Sequence, residues 1–464
     1  MDALHWLTLT ELGGRIKARE VSPLEATRAQ LERIGALDPQ LHAYVTVTAE
    51  RALAHALGAE SEIAAGRYRG PLHGIPIAVK DLYWTKGVRT TWGTAVMGGH
   101  VPAEDATVVE RLEAAGAIIL GKLALTEGAY ATHHPSVTPP VNPWNADRWT
   151  GVSSSGSGVA TASAMCYGSL GSDTGGSIRF PSAACGVVGI KPTWGRVSRY
   201  GVFALGASLD HVGPMTRDVA DAAAMLGVIA GHDPKDPTSL RAPVPDYAAA
   251  VQQGARGLRI GVDERFITEY MDAEVAGLVL ACAGVLRAAG ATIVPVKVPP
   301  VDDIVNRWAL VCAAEAAAAH EGLYPERAAE YGPAFAAFLD LGRSATAVAY
   351  AKAHDARLHF SGALAGLFED VDLLLCPSMG VETPPTGLTG ANPPGEVNAI
   401  MRYTAPFDFS GSPTISIPCG FTGDGMPASL QLVGRHLGEG SLIAAGAAYQ
   451  QATGWQSRRP PLAS

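Results

Sequence analysis

The chain has 464 residues, 47% hydrophobic and 17% charged, which is apolar material for one large core or two ordinary ones. Its 35 basic and 44 acidic residues give a net charge of −9 with no Lys/Arg cluster, arguing against a nucleic-acid partner and toward a small neutral or cationic substrate. Cys166, Cys185, Cys282, Cys312, Cys376 and Cys419 form no CxxC pair and have no histidine at ligand spacing, so they read as buried small hydrophobes, and neither metal nor cofactor is expected.

The opening MDALHWLTLTELGGRIKARE lacks a basic start followed by a long apolar run, so no secretory signal is read and the expected location is cytoplasmic. Ser22-Pro23-Leu24-Glu25 supplies an N-cap, a first-turn proline and a capping-box acid ahead of Leu24, Thr27, Leu31 and Ile34, which predicts an amphipathic helix. Gly74-Ile75-Pro76-Ile77-Ala78-Val79-Lys80-Asp81 is too short for a helix and ends in charge, as expected of a buried strand with Lys80 at its end. From Asp105, DATVVERLEAAGAIILGK predicts a capped helix, a stop at Gly116 and a strand from Ala117 to Leu120.

Residues 151–172 carry no charge but are mostly Gly, Ser and Ala, and the apolar run 275–286 is only twelve residues long. The first is too polar for hydrocarbon and the second suits a buried helix, so no membrane span is expected. Further on, 257–262 reads as a strand, 272–289 as a helix and 291–298 as a strand. This alternation predicts an α/β fold, a sheet with helices on both faces. No linker divides the chain, so 1–464 reads as one domain, with the Ala-rich helical segment from about 305 to 367 as a candidate peripheral lobe.

The chemistry concentrates in 151–177, GVSSSGSGVATASAMCYGSLGSDTGGS, where 15 of 27 residues are Ser or Gly and Asp173 is the only charge. Such composition often marks a flexible linker. Against that, Val159, Met165 and Leu170 interrupt it and the apolar CGVVGIKPTWG soon follows. The alternative is a site: Thr174-Gly175-Gly176-Ser177 aims successive N–H groups at one point, and serine supplies a nucleophile. A lysine ending a buried strand loses its proton near neutral pH, which makes Lys80 the candidate base.

Residues 151–177 followed by IRFPSAACGVVGIKPTWGRVSRYGV, IPIAVKD around Lys80, and GSPTISIPCGF with MPASLQLVGR resemble the amidase signature family over nearly the whole chain. The resemblance implies that family's fold, a large twisted mixed β-sheet covered by α-helices on both faces. It places the base on Lys80, the relay serine of a cis peptide on Ser153 and the nucleophile on Ser177. It puts the oxyanion hole on the backbone of Thr174, Gly175, Gly176 and Ser177, and supporting polar roles on Ser154, Asp173 and Arg179. Ala129 and Tyr130 would flank the substrate, in a pocket walled by 129–135, 201–205 and 380–410. Where the family commonly has Gly-Gly-Ser-Ser-Gly-Gly-Ser, this chain has Gly151-Val152-Ser153-Ser154-Ser155-Gly156-Ser157, replacing two glycines.

Weaker signals are set aside. Gly116 to Leu123 resembles a phosphate-binding loop but lacks its Ser/Thr, and Gly156 to Thr161 lacks the third glycine of a dinucleotide fingerprint. His133-His134 has no acidic partner and reads as loop. Trp6, Trp84, Trp92, Trp144 and Trp194 read as packing. The leading expectation is a hydrolase of small amides, carbamates, aryl amides or esters, working without a cofactor, a membrane or nucleic acid, and a homodimer on general grounds. The alternatives are the glutaminase subunit of a tRNA-dependent amidotransferase and a non-catalytic anion-binding module.

Overall fold

Short apolar runs bounded by glycine, proline or charge become most strands of one sheet, and the Ser/Gly stretch Gly168–Asp173 supplies another. The computed structural model describes residues 4–380, 382–386 and 399–462. Its strands are β1 (Tyr44–Val47), β2 (Pro76–Lys80), β3 (Ile118–Leu123), β4 (Gly168–Asp173), β5 (Val188–Lys191), β6 (His211–Thr216), β7 (Arg259–Val262), β8 (Thr292–Pro295), β9 (Leu373–Pro377), β10 (Thr414–Phe421) and β11 (Pro427–Gly434). They lie in the order β1-β3-β2-β4-β6-β5-β10-β11-β9-β7-β8. β2 runs parallel to β3 and β4, and β7 runs parallel to β8 and β9, while the middle of the sheet and its β1 edge pair antiparallel. The sheet is therefore mixed, as the family resemblance implied.

Side-chain alternation places a core on each face. Ile77, Val79 and Ile119 belong to the larger core, whereas their neighbours Ala78, Ile118 and Leu120 belong to a second. That second core receives Val159 and Ala160 of helix Ser155–Ala162, so the Ser/Gly segment packs against the sheet instead of spanning a gap. Its small residues are required by contact: a Cβ at Gly156 would stand 2.5 Å from both the Ala124 nitrogen and the Ala43 oxygen.

Local signals hold where the cap is local. Helix Pro23–Leu41 starts at Ser22, whose side chain accepts from the Glu25 N–H, and Asp272 caps helix Ala273–Ala288. The helix expected from Asp105 is a correction: it spans Thr107–Ala114 with Ala106 at its N-cap, because the Asp105 carboxylate accepts the Lys86 N–H instead. Strand β3 also runs three residues past the expected Leu120, and β8 covers only the middle of 291–298.

The Ala-rich segment forms helices Asp302–Ala319, Pro333–Ser344 and Ala347–Asp370, the last two of which pack on the first. Among the described residues no helix is long and apolar enough to cross a membrane. The six cysteines are free and buried. Of the pocket wall expected at 380–410, residues 381 and 387–398 lie outside the described residues.

Candidate active site

Lys80 ends β2, a strand buried along its whole length. Its Nζ is enclosed by three hydroxyls, Ser153 Oγ at 2.7 Å, Ser154 Oγ at 2.9 Å and Ser172 Oγ at 2.9 Å. Burial pulls the amine down to about 7, against the opposing pull of Asp173 and Asp210. Two other buried lysines have different company. Lys122 donates to the Tyr83 carbonyl and Thr90 Oγ1 and lies 3.5 Å from Asp81, and Lys191 donates to the Ser412 and Pro192 carbonyls. Among the described residues only Lys80 is held by hydroxyls alone, groups that both give and take protons.

Ser153 follows a cis Val152–Ser153 peptide, and its carbonyl accepts the Thr126 N–H at 3.2 Å. The Ser154 N–H donates to the Ser177 carbonyl at 3.4 Å, which sets the Ser177 turn directly on this one. Among the described residues no hydrogen bond joins the two hydroxyls of Ser153 and Ser177. The structure thus brings Lys80 and Ser153 to hydrogen-bond distance and holds Ser177 beside them through the main chain. Ser177 keeps 8% of its surface exposed while Lys80 and Ser153 keep 0%, so it stands at the open end of the stack.

The turn from Thr174 to Ser177 is shaped by Asp173, whose carboxylate accepts from the N–H groups of Gly176 at 2.6 Å, Ile178 at 3.0 Å and Arg179 at 3.3 Å. The Gly176 amide expected in the oxyanion hole is therefore already engaged. Among the described residues, the amides of Thr174, Gly175 and Ser177 remain without an acceptor. Gly175 and Gly176 are required sterically: a Cβ would stand 2.3 Å from the Trp308 ring at Gly175 and 2.4 Å from the Phe180 ring at Gly176, where φ is +139°.

Arg179 clamps Asp173 through Nε at 3.0 Å and Nη2 at 2.9 Å, and also donates to Asp408, to the Thr404 carbonyl at 2.9 Å and to Gln431 Oε1 at 3.1 Å. Burial would raise the Asp173 carboxyl, but the Arg179 guanidinium holds it well below the usual carboxylate range. Both expected supports, Asp173 and Arg179, are thus joined, and Ser154 is a partner of Lys80.

Several residues at this site were not expected from sequence. Ser172 is the third hydroxyl on Lys80. Asp210 accepts from Thr174 Oγ1 at 2.6 Å and from the Leu205 and Gly206 N–H groups, and burial raises it to about 6. Trp308 donates its indole N–H to the Thr174 carbonyl at 2.7 Å. Asp408, Gln431 and His211 complete the buried shell around Asp173 and Arg179. Only Ser172 left a usable sign, since it lies in the Ser/Gly segment on the strand beside β2.

Ala129 and Tyr130 follow Thr126, which donates its hydroxyl to the Tyr130 carbonyl at 2.7 Å. Tyr130 stacks on Phe338 at 3.9 Å between ring centroids, and Trp92 stacks on Phe203 at 3.7 Å. A cavity of about 560 Å³ lies between residues 130–135 and helix Pro333–Ser344, with Tyr130, Thr132, His133, Ala337, Phe338 and Leu341 in its wall. Its described lining carries no Asp, Glu, Lys or Arg, and burial lowers His133 to about 4, keeping it neutral. His133 Nε2 lies 3.0 Å from Ser155 Oγ, which ties this wall to the Ser/Gly helix.

The mixed sheet carries a buried lysine under a Ser/Gly turn, and comparison with known proteins gives the family. The Amidase family model matches residues 25–443. The protein named "Putative amidase AmiD" of Mycobacterium tuberculosis is 48% identical over 463 residues, covering 99% of this chain and 97% of that one. A subunit of the glutamyl-tRNA(Gln) amidotransferase of Chloroflexus aggregans is 39% identical over 488 residues, covering 100% of both. The native peptide amidase of Stenotrophomonas maltophilia superposes with a TM-score of 0.84 at 31% identity, covering 98% of each chain. The chain belongs to the amidase signature family and is an enzyme that hydrolyses amides.

Proposed function

We propose that the chain hydrolyses small linear amides through a Lys80–Ser153–Ser177 proton relay and an acyl-enzyme on Ser177. Neutral Lys80 takes the Ser153 proton while Ser153 takes that of Ser177, whose Oγ attacks the amide carbonyl. The free amides of Thr174, Gly175 and Ser177 receive the developing oxyanion. The relay then reverses, the leaving nitrogen is protonated as the C–N bond breaks, and water attacks the acyl-enzyme by the same route. The observation that carries this reading is the wholly buried Lys80 amine surrounded by three hydroxyls. A neutral amine has two N–H donors and one lone pair, and hydroxyls satisfy all three.

Ser177→Ala is expected to lose about 10³-fold or more in kcat with its thermal unfolding unchanged, and to lose labelling by a fluorophosphonate that modifies Ser177 in the wild type. Near-normal turnover would overturn the relay, and unlabelled wild type would favour the anion-binding module.

Full-length similarity to part of an amidotransferase gives support to a glutaminase reading as well. The uncharged wall along Tyr130 and Phe338 favours apolar over amino-acid substrates. A hydrolysis screen of amides, carbamates, esters and glutamine separates these, and glutaminase activity together with a copurifying partner protein would reverse the order.

A further inference from the structure

We take the cavity walled by Tyr130 and Phe338, which is tied to the Ser/Gly helix through His133 and Ser155, as the substrate cleft of the relay just described, on which this inference rests. Phe335 and Phe338 belong to helix Pro333–Ser344, in a part of the chain remote in sequence from Ser153. Besides the stacking of Tyr130 on Phe338, two reciprocal contacts join that helix to residues 126–130. Glu127, only 1% exposed, turns both carboxyl oxygens onto the Gly332 N–H at 3.0 Å each, and Gly332 is the residue that opens the helix. In return, Phe335 lies against Gly128.

Both contacts are made at glycines, and a side chain at either would displace its partner. A Cβ at Gly332 would stand 2.5 Å from Glu127 Oε2, and one at Gly128 would stand 2.3 Å from the Phe335 ring, at a φ of +57°. The segment gripped in this way is itself fastened to the site. Thr126 donates its N–H to the Ser153 carbonyl at 3.2 Å, Glu127 donates its own N–H to the Thr132 carbonyl at 2.8 Å, and Gly128 donates to the Trp92 carbonyl at 3.0 Å. Burial raises the Glu127 carboxyl to about 7, and the Gly332 N–H draws it back down.

We propose that Glu127 is a positioning residue that docks helix Pro333–Ser344 onto the Ser153 loop and so sets the width of the apolar cleft for the larger part of the substrate. It touches neither Lys80 nor the serine hydroxyls, so its loss disturbs the binding of long substrates more than the chemistry of short ones. Gln retains an acceptor oxygen for the Gly332 N–H; Ala has none.

The test uses p-nitroanilides, or p-nitrophenyl esters where turnover is slow, of straight-chain acids from acetyl to octanoyl. Glu127→Ala is expected to raise KM about tenfold for the longest chain the wild type accepts, leaving kcat for the acetyl compound within about threefold, and Glu127→Gln restores most of the KM. If Glu127→Ala does not fold, Gly332→Ala displaces the same carboxyl and is expected to show the same split. Equal loss of kcat across the series, no change at all, or a Gln variant no better than Ala would overturn the role. Those outcomes leave the relay standing as long as Ser177→Ala is inactive, so the two readings fail separately.

Discussion

Replacing Lys80 with methionine is expected to abolish turnover and, below neutral pH, to stabilise the fold. Holding the amine at about 7 rather than 10.5 corresponds to about 5 kcal/mol opposing folding at neutral pH. Methionine approximates the volume without the charge but forfeits three hydrogen bonds to Ser153, Ser154 and Ser172, at about 1 kcal/mol each. The net gain expected for Lys80→Met is then about 2 kcal/mol at pH 7.

The sign changes with pH. Below pH 7 both folded and unfolded chains hold the proton, so the penalty is constant; between 7 and 10.5 only the unfolded chain holds it, so wild-type stability rises with pH. By pH 9 the penalty has fallen to about 2 kcal/mol, less than the lost hydrogen bonds, and the variant becomes the less stable protein. Urea unfolding of both proteins from pH 6 to 9.5 measures this crossing. The same amine predicts an acid limb in wild-type kcat/KM near pH 7, with activity falling as the pH drops. A stability difference that stays constant across that range, or a kcat/KM flat from pH 5.5 to 8.5, would refute a desolvated, titrating Lys80.

Two further substitutions probe the turn above it. Arg179→Met leaves Asp173 and Asp408 buried against each other without their common cation, and is expected to destabilise by about 3–5 kcal/mol in urea unfolding; a loss under about 1 kcal/mol would mean the clamp does not hold the turn. Gly175→Ala forces its new methyl against Trp308 and displaces an unpaired amide, so kcat is expected to fall about 10²-fold with KM little changed. Gly14→Ala, with nothing within 4 Å, is its control and should match the wild type.

What the sequence made legible was local. Lys80 could be placed at the end of a buried strand because an apolar run stops there, and Ser22 and Asp272 cap their helices because the capped N–H groups lie two or three residues away. The Asp105 cap failed because a distant amide, that of Lys86, claimed the carboxylate. The shell of the site was illegible for the same reason. Asp210 meets Thr174 across 36 residues, Trp308 reaches it across 134, and Asp408 meets Arg179 across 229. Trp308 is buried in its helix, yet nothing local in the sequence tells which backbone oxygen its indole will find. Of the four amides expected in the oxyanion hole, that of Gly176 donates to Asp173, a partner that the sequence pattern does not disclose.

The division of labour around Lys80 follows from what each neighbour can do with a proton. Lys122 and Lys191 are also buried, and burial lowers them to about 8 and about 7, so a lowered pKa alone does not mark a base. Lys191 faces carbonyls, which accept a hydrogen bond but have no proton to pass, and Lys122 faces a carboxylate that holds its charge in place. Lys80 faces only hydroxyls, and its two nearby carboxylates are occupied: Asp173 by Arg179 and three amides, Asp210 by Thr174 and two more. Those same bonds fix the turn that carries Ser177. The carboxylates therefore serve geometry, and their pull on the amine offsets its burial only in part, which leaves Lys80 costly to charge.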